Sequence, residues 1–319
     1  MQKYTVAQFI REFATERACV ERIARLRWPD GIVCPKCEDG TTHYLIGKRK
    51  CYECKECGTQ TYPTVDTIFH KSRTPLTVWF YVVFQMAKTR TGVSAKQIER
   101  ETGVTYKTAW RMCTLVRAAL KDGDDADAFT GTVEVDEVYM GSRKPRRPGQ
   151  RKRGRGTVSG SMPKVPVVGI VERDEDGMPV RVRARVTSDV KRATVLPFIE
   201  DNVTEGARVY TDEFNIYRPL EARGYRHDFV RHKFKEYAYE AVDEETGEVH
   251  NVHTNAIEGF WSQVKGGVLN VHRGVSPKYL QRYVDEFAFR YSNVKGEAPM
   301  FTTMLSRIAG AGQPDAVLP

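Results

Sequence analysis

The chain has 319 residues, 40% hydrophobic and 29% charged, which suffices for two or three domains with cores of their own and excludes wholesale disorder. Its net charge of +9 at pH 7 favours a polyanionic partner. The longest apolar stretch, around Val78–Met86, is far too short to span a bilayer, and the N-terminus has no uninterrupted apolar core of signal-peptide type; the expectation is a cytosolic protein with no membrane partner.

Residues 5–27 place Phe9, Phe13, Val20, Ile23 and Leu26 at roughly helical spacing and predict one amphipathic helix. A Cys-rich unit follows, from about Trp28 to Tyr62. Five of the seven cysteines crowd into Cys34–Cys57, and in a cytosolic chain that clustering argues for metal rather than disulfides. Cys34-Pro-Lys-Cys37 and Cys54-Lys-Glu-Cys57 are two CxxC pairs separated by sixteen residues. Such pairs suit tetrahedral Zn²⁺, each knuckle supplying two thiolates. Cys51 complicates the reading, because Cys51 and Cys54 also form a CxxC. Cys54 and Cys57 are preferred because Gly58 follows them, where a tight turn needs glycine. Cys51 is then a buried thiol or an oxidation liability, and Cys19 and Cys113 read as ordinary buried thiols. Residues 1–66 are assigned to this N-terminal helix and zinc ribbon.

Leu76–Lys88 is an apolar, aromatic-rich helix with Pro75 as its start signal. Residues 94–120 then read as helix, Gly-containing turn, helix. Ile98 and the Gly103-Val104 turn set the first helix against Ala109, Met112 and Val116 of the second, which Thr105 is suited to cap. Tyr106, Lys107, Thr108 and Arg111 remain outside and are chemically able to meet bases and phosphates in a major groove. The alternative is a plain helical hairpin. Residues 67–127 are assigned to this helix-turn-helix-like region, closed by the acidic, polar stretch DGDDADAF.

The second half changes texture. TVEVDEVYM (132–140), KVPVVGIVE (164–172), MPVRVRARV (178–186) and ARVYTD (207–212) read as strands, YRHDFVRH (225–232) as a possible fifth, and 189–202, 255–268 and 276–292 as helices. Together they predict a mixed sheet covered by helices over 128–295, with 296–319 as a C-terminal tail. From Ser142 to Lys164, both included, there are nine Lys or Arg and no acid. This run is either a solvated loop or a phosphate-neutralising one, with Arg146, Arg147, Arg151, Lys152 and Arg153 at its centre.

Three acids stand out. Asp136 lies mid-strand in EVDE, where Glu134 shares its face as on an ordinary solvated strand. Asp212 ends the apolar strand RVYTD, where a side chain projects from a sheet edge. Glu258 and Lys265 are seven residues apart, two turns along one helical face, and Asn255 lies one turn before Glu258. A carboxylate so placed can bind a metal while the cation grips a phosphate.

With these residues in hand, the chain resembles the insertion-sequence DDE transposases that carry an N-terminal zinc ribbon. The likeness runs from the CPKC knuckle through TIFHKSRTPLTVWF (67–80), GVSAKQIERETGVTYKTAWRM (92–112), VEVDEVYMG (133–141), VYTDEFNIY (209–217), HTNAIEGFWSQVK (253–265) and LQRYVDEFAFRYSN (280–293). The resemblance implies an RNase H-like α/β core with Asp136 on its first strand, Asp212 after its fourth and the third ligand on a later helix. That third position falls to Glu258 or Asn255; Glu258 is favoured because a carboxylate binds a hard cation better than an amide does. It also implies Mg²⁺ or Mn²⁺ as catalytic ions, cleavage and strand transfer at terminal inverted repeats joined to target DNA, a homo-oligomer that handles two ends together, and a protein that associates with the nucleoid when bound. The rival readings are a nuclease of the same fold and a non-enzymatic zinc-ribbon regulator.

Overall fold

In the computed structural model, residues 4–310 are described except 39, 41, 122–126, 142–163, 244–246 and 248. The basic run holding Arg146, Arg147, Arg151, Lys152 and Arg153 lies outside the described residues. The chain divides into two compact units, one formed by residues 1–120 and 296–319, the other by 121–295.

The predicted single N-terminal helix is two, α1 (Val6–Glu12) and α2 (Glu16–Arg27). Phe13 leaves helical geometry, and Thr15 restarts the chain as an N-cap whose hydroxyl accepts from Ala18 N–H. A Thr side chain that satisfies an orphan N–H favours a new start over continuation. Thr5 begins α1 in the same way, with a capping box to Gln8. Strands β1 (His43–Ile46), β2 (Cys51–Cys54) and β3 (Gln60–Thr61) form a small antiparallel sheet. Helices α3 (Leu76–Lys88), α4 (Ala95–Thr102) and α5 (Tyr106–Ala119) follow. Between α4 and α5, Gly103 adopts φ 72° and Thr105 caps α5 by accepting from Thr108 N–H, so the turn uses the one residue type without a Cβ penalty in the left-handed region.

The second unit is a five-stranded mixed sheet built from β4 (Thr132–Met140), β5 (Val165–Arg173), β6 (Pro179–Val186), β7 (Arg208–Asp212) and β8 (Arg226–Val230), with helix α6 (Arg192–Glu200) between β6 and β7. Its order is β6-β5-β4-β7-β8; β4, β5 and β6 are antiparallel neighbours, whereas β7 and β8 run parallel to β4. A hairpin, β9 (Ala238–Val242) and β10 (Val249–His253), precedes α7 (Asn255–Gly266) and α8 (Pro277–Asn293). Alternation along β4 divides the core. Val133 and Val135 pack with Val195, Leu196 and Phe198 of α6 on one face. Val138 and Met140 pack with Ile257, Phe260 and Trp261 of α7 and with Val284 and Phe287 of α8 on the other. The period of two puts Asp136 on the α7 face.

The stretch read as a tail contains α9 (Met300–Gly310), which buries Met300, Phe301, Met304, Leu305 and Ile308 in the first unit. The Phe301 ring stacks on Tyr4 and meets Phe9, Phe13, Phe80 and Phe84 edge-on. Its fivefold aromatic packing makes it the hub of that core. Among the described residues no helix is long and apolar enough to cross a membrane.

Candidate functional site

The first site lies in the small sheet. Cys34 and Cys37 sit on a turn closed by Glu38 N–H to the Cys34 carbonyl. Cys54 and Cys57 sit on the turn after β2, where Gly58 adopts φ 69° and donates to the Cys54 carbonyl. The four Sγ atoms all lie within 4.8 Å of one another. Four sulfur donors gathered this closely fit a tetrahedral structural Zn²⁺. Cys51 is buried on β2 opposite Ile46 and stands outside the group. Cys19 and Cys113 are fully buried.

On α4 and α5, Ile98, Ala109, Met112 and Val116 face inward. Tyr106 and Lys107 are exposed, and Thr108 and Arg111 half-buried. The Lys96 ammonium stands 5.0 Å from the centre of the Tyr106 ring, so the start of α5 presents a cation and an aromatic side by side.

The carboxylates converge on the sheet. Parallel pairing of β4 with β7 runs through Glu134–Tyr210, so Asp136 and Asp212 stand two residues beyond that rung on adjacent strands, pointing to one face. Asp136 Oδ2 accepts from Trp261 Nε1–H at 3.0 Å. Burial, with the neighbouring charges of Glu137 and Asp212, pushes the Asp136 carboxyl up to about 7. Burial and Glu213 likewise raise Asp212, against a backbone hydrogen bond from Phe214 and the nearby His232 and Lys233 side chains. Glu258 is exposed on the first turn of α7, its Oε1 3.8 Å from His232 Nε2. His232 also reaches Thr254, its Nε2 3.5 Å from the hydroxyl oxygen. Asn255 is exposed at the first position of α7, its N–H turned to His253 Nδ1 at 3.4 Å. Lys265 is exposed two turns beyond Glu258. Among the described residues, only the four cysteines are gathered closely enough to form a group of three or more ligands; the three acids share a region without closing on one point.

Sequence reasoning missed what aims this face. Glu134, expected beside solvent, is completely buried. Its Oε2 accepts from Ile257 N–H in the first turn of α7 at 2.9 Å, where the Thr254 side chain makes no capping bond. A carboxylate there satisfies an orphan donor and meets the positive end of the helix dipole. Its Oε1 lies 3.1 Å from His253 Nδ1 and 3.3 Å from Arg173 Nη1. These are ion-pair distances without hydrogen-bond alignment, so the charge is compensated mainly by proximity. His253 is thus part of the helix anchor. Gly169, paired with Asp136 across the sheet, is the second device. A Cβ there would stand 2.7 Å from the Trp261 ring, so only glycine lets Trp261 lie flat enough on the sheet to reach Asp136. On the opposite face, Tyr217 O–H donates to Glu137 at 2.6 Å. The available signal was the isolated glycine inside an otherwise β-branched strand.

Comparison with known proteins bears on these elements in turn. The transposase zinc-ribbon domain profile matches residues 14–60, which hold all four ligand cysteines. The ISXO2-like transposase domain profile matches residues 128–292, which hold the whole sheet and the three acids. An uncharacterised protein in transposable element ISH50 of Halobacterium salinarum is 29% identical over 296 residues, covering 88% of this chain and 92% of that protein. An uncharacterised transposase-like protein of Haemophilus influenzae is 28% identical over 116 residues, 36% of this chain and 85% of that one. With more than half of its length, including the sheet that carries Asp136 and Asp212, matched by one family, the chain belongs to the ISXO2-like transposases.

Proposed function

We propose that the chain is a DNA transposase that cleaves the ends of its element and transfers them to target DNA, using Asp136, Asp212 and Glu258 as the acidic ligands of an RNase H-like core. The observation that carries the reading is the pair Asp136 and Asp212, set side by side by the parallel pairing of β4 and β7, with both carboxyls raised chiefly by burial. Two such acids repel each other unless a cation or a proton lies between them, and hard oxygen donors match a hard divalent ion. The strand order β6-β5-β4-β7-β8, with only β5 running against its neighbours, supports the RNase H-like assignment.

Mg²⁺ or Mn²⁺ bound by these carboxylates would activate the attacking oxygen and stabilise the departing one. The protein's share is positional. Trp261 fixes one oxygen of Asp136. Phe214 N–H does the same for Asp212 Oδ1. Glu134 and Arg173 hold the start of α7, and so Glu258, against the sheet. Lys265, two turns on, is suited to a phosphate, and Asn255 is the alternative to Glu258 at the third position. Besides the acids, the zinc ribbon, the start of α5 (Tyr106, Lys107, Thr108, Arg111) and the basic run (Arg146, Arg147, Arg151, Lys152, Arg153) would bind the DNA. Two ends must be joined together, so a homo-oligomer is the expected active form.

The test is metal-dependent nicking and joining of DNA carrying the inverted repeats that flank the gene. Asp136→Asn should abolish both reactions and keep DNA binding. Joining by that variant would sink the assignment.

A further inference from the structure

The segment that follows β8, Arg231-His232-Lys233-Phe234-Lys235-Glu236-Tyr237, is not used by the reading above. It makes one 3₁₀ turn over His232–Phe234, and Lys235 reverses the chain at φ 62°. The turn is fastened to the acidic face at two points. His232 lies 3.8 Å from Glu258 and 3.5 Å from Thr254 Oγ1, and Lys233 lies 3.8 Å from Glu213, the neighbour of Asp212. What it displays outward is unusual for a protein surface. Phe234 is 80% exposed, Tyr237 56% and Phe229 of β8 37%. Arg231 stands over the Phe229 ring at 5.5 Å, and Tyr237 packs on His232 at 5.4 Å. Three exposed rings among three cations, with Glu236 as the one acid of the segment, have no core to serve.

We propose that this turn is a stacking platform for an unpaired nucleotide of the DNA strand that enters the acidic site. Aromatic faces accept any base, and Arg231, Lys233 and Lys235 neutralise the flanking phosphates; this pairing of features binds single strands without sequence preference. The position decides the rest. Fastened to Glu258 and to the neighbour of Asp212, the turn can only hold nucleotides next to the phosphate being processed, so it would stabilise a frayed end against re-pairing. The inference rests on the transposase reading and adds to it the form of DNA the site receives.

The test uses the full-length protein without added divalent cations, so that binding is read apart from cleavage. The probes are a blunt duplex and the same duplex with a few unpaired 3′ nucleotides, one of them 2-aminopurine. Wild type should prefer the frayed probe by about tenfold and quench the aminopurine, Phe234→Ala should lose most of both, and Phe234→Trp should restore them. A preference and quench unchanged in Phe234→Ala would overturn the proposal. So would a Phe234→Ala variant that changes only the size of the assembly, since the rings would then serve a second copy of the chain. If wild type shows the ring-dependent preference yet never cuts DNA with Mg²⁺, the transposase reading fails and the stacking platform stands.

Discussion

Gly169→Ala is the sharpest test of how the sheet aims its acids. The added methyl would lie 2.7 and 2.8 Å from two carbons of the Trp261 ring and 3.0 Å from Ile257 Cδ1. To reach the 3.4 Å of ordinary contact, the indole must retreat by about 0.7 Å, and a shift of that size takes a 3.0 Å hydrogen bond to the edge of its range. Trp261 is buried in the core that α7 forms against the sheet. Overpacking of this kind costs about 1–3 kcal/mol, and weakening the bond to Asp136 adds about 1 kcal/mol. For a unit the size of residues 121–295 the loss lowers its unfolding temperature by about 5–12 °C. Differential scanning calorimetry of the full chain reads this directly. Gly259→Ala is the internal control: its Cβ would come no closer than 3.5 Å to Tyr291 Oη, and alanine in a helix stabilises by about 0.5–1 kcal/mol. The clash also predicts coupling. Gly169→Ala placed on a Trp261→Phe background should cost about half as much as on wild type, because the smaller ring frees the space. Strict additivity of the two substitutions, or a wild-type transition in Gly169→Ala alone, would refute the reasoning.

Glu134→Gln should destabilise the same unit by about 2–4 kcal/mol, because Arg173 is left buried without its countercharge; chemical denaturation checks it, and a loss below about 0.5 kcal/mol would reduce Glu134 to a spectator. Cys51→Ser should retain one zinc per chain and Cys54→Ser should not, by metal analysis of the purified proteins; the reverse pattern would reassign the knuckle. His227 is held down at about 4 by burial, below its ordinary value near 6.5, and its Nε2 lies 2.9 Å from Thr211 Oγ1. The unfolded chain therefore takes up a proton before the folded one. The stability is full above pH 6.5 and is lost as pH falls towards 4, by about 2–3 kcal/mol at most. His227→Gln should flatten that part of the stability curve; curves that stay parallel from pH 7 to pH 4 would show that His227 does not titrate as described.

Local rules carried the reading of the sequence where one residue type has one physical job. The CxxC knuckle that ends in Gly58 and the turn of Gly103 before Thr105 stand where expected, and the strands and helices predicted over 132–292 fall within a few residues of their bounds. Long-range partners are where it stopped. Nothing near Glu134 in the chain announces that it caps a helix 123 residues away, because a cap is ordinarily sought one turn before the helix it serves. The hairpin β9–β10 escaped notice because its residues alternate weakly, and only Val252 is fully buried, against Tyr210 and Val230. The break at Phe13 escaped because the apolar spacing continues across it; only Thr15, as a cap, marked the stop.

The first unit is threaded through the order of synthesis in a way that constrains how the protein is made. Its aromatic centre is finished by Phe301, some 180 residues after the rest of its core has been translated. Until α9 emerges, Phe9, Phe13, Phe80 and Phe84 keep a face without its lid, while the whole sheet-bearing unit has already left the ribosome and can fold. A chain cut short before residue 300 would thus fail at its beginning, and its sticky front end would invite capture by chaperones. That coupling withholds a finished first unit from any truncated product.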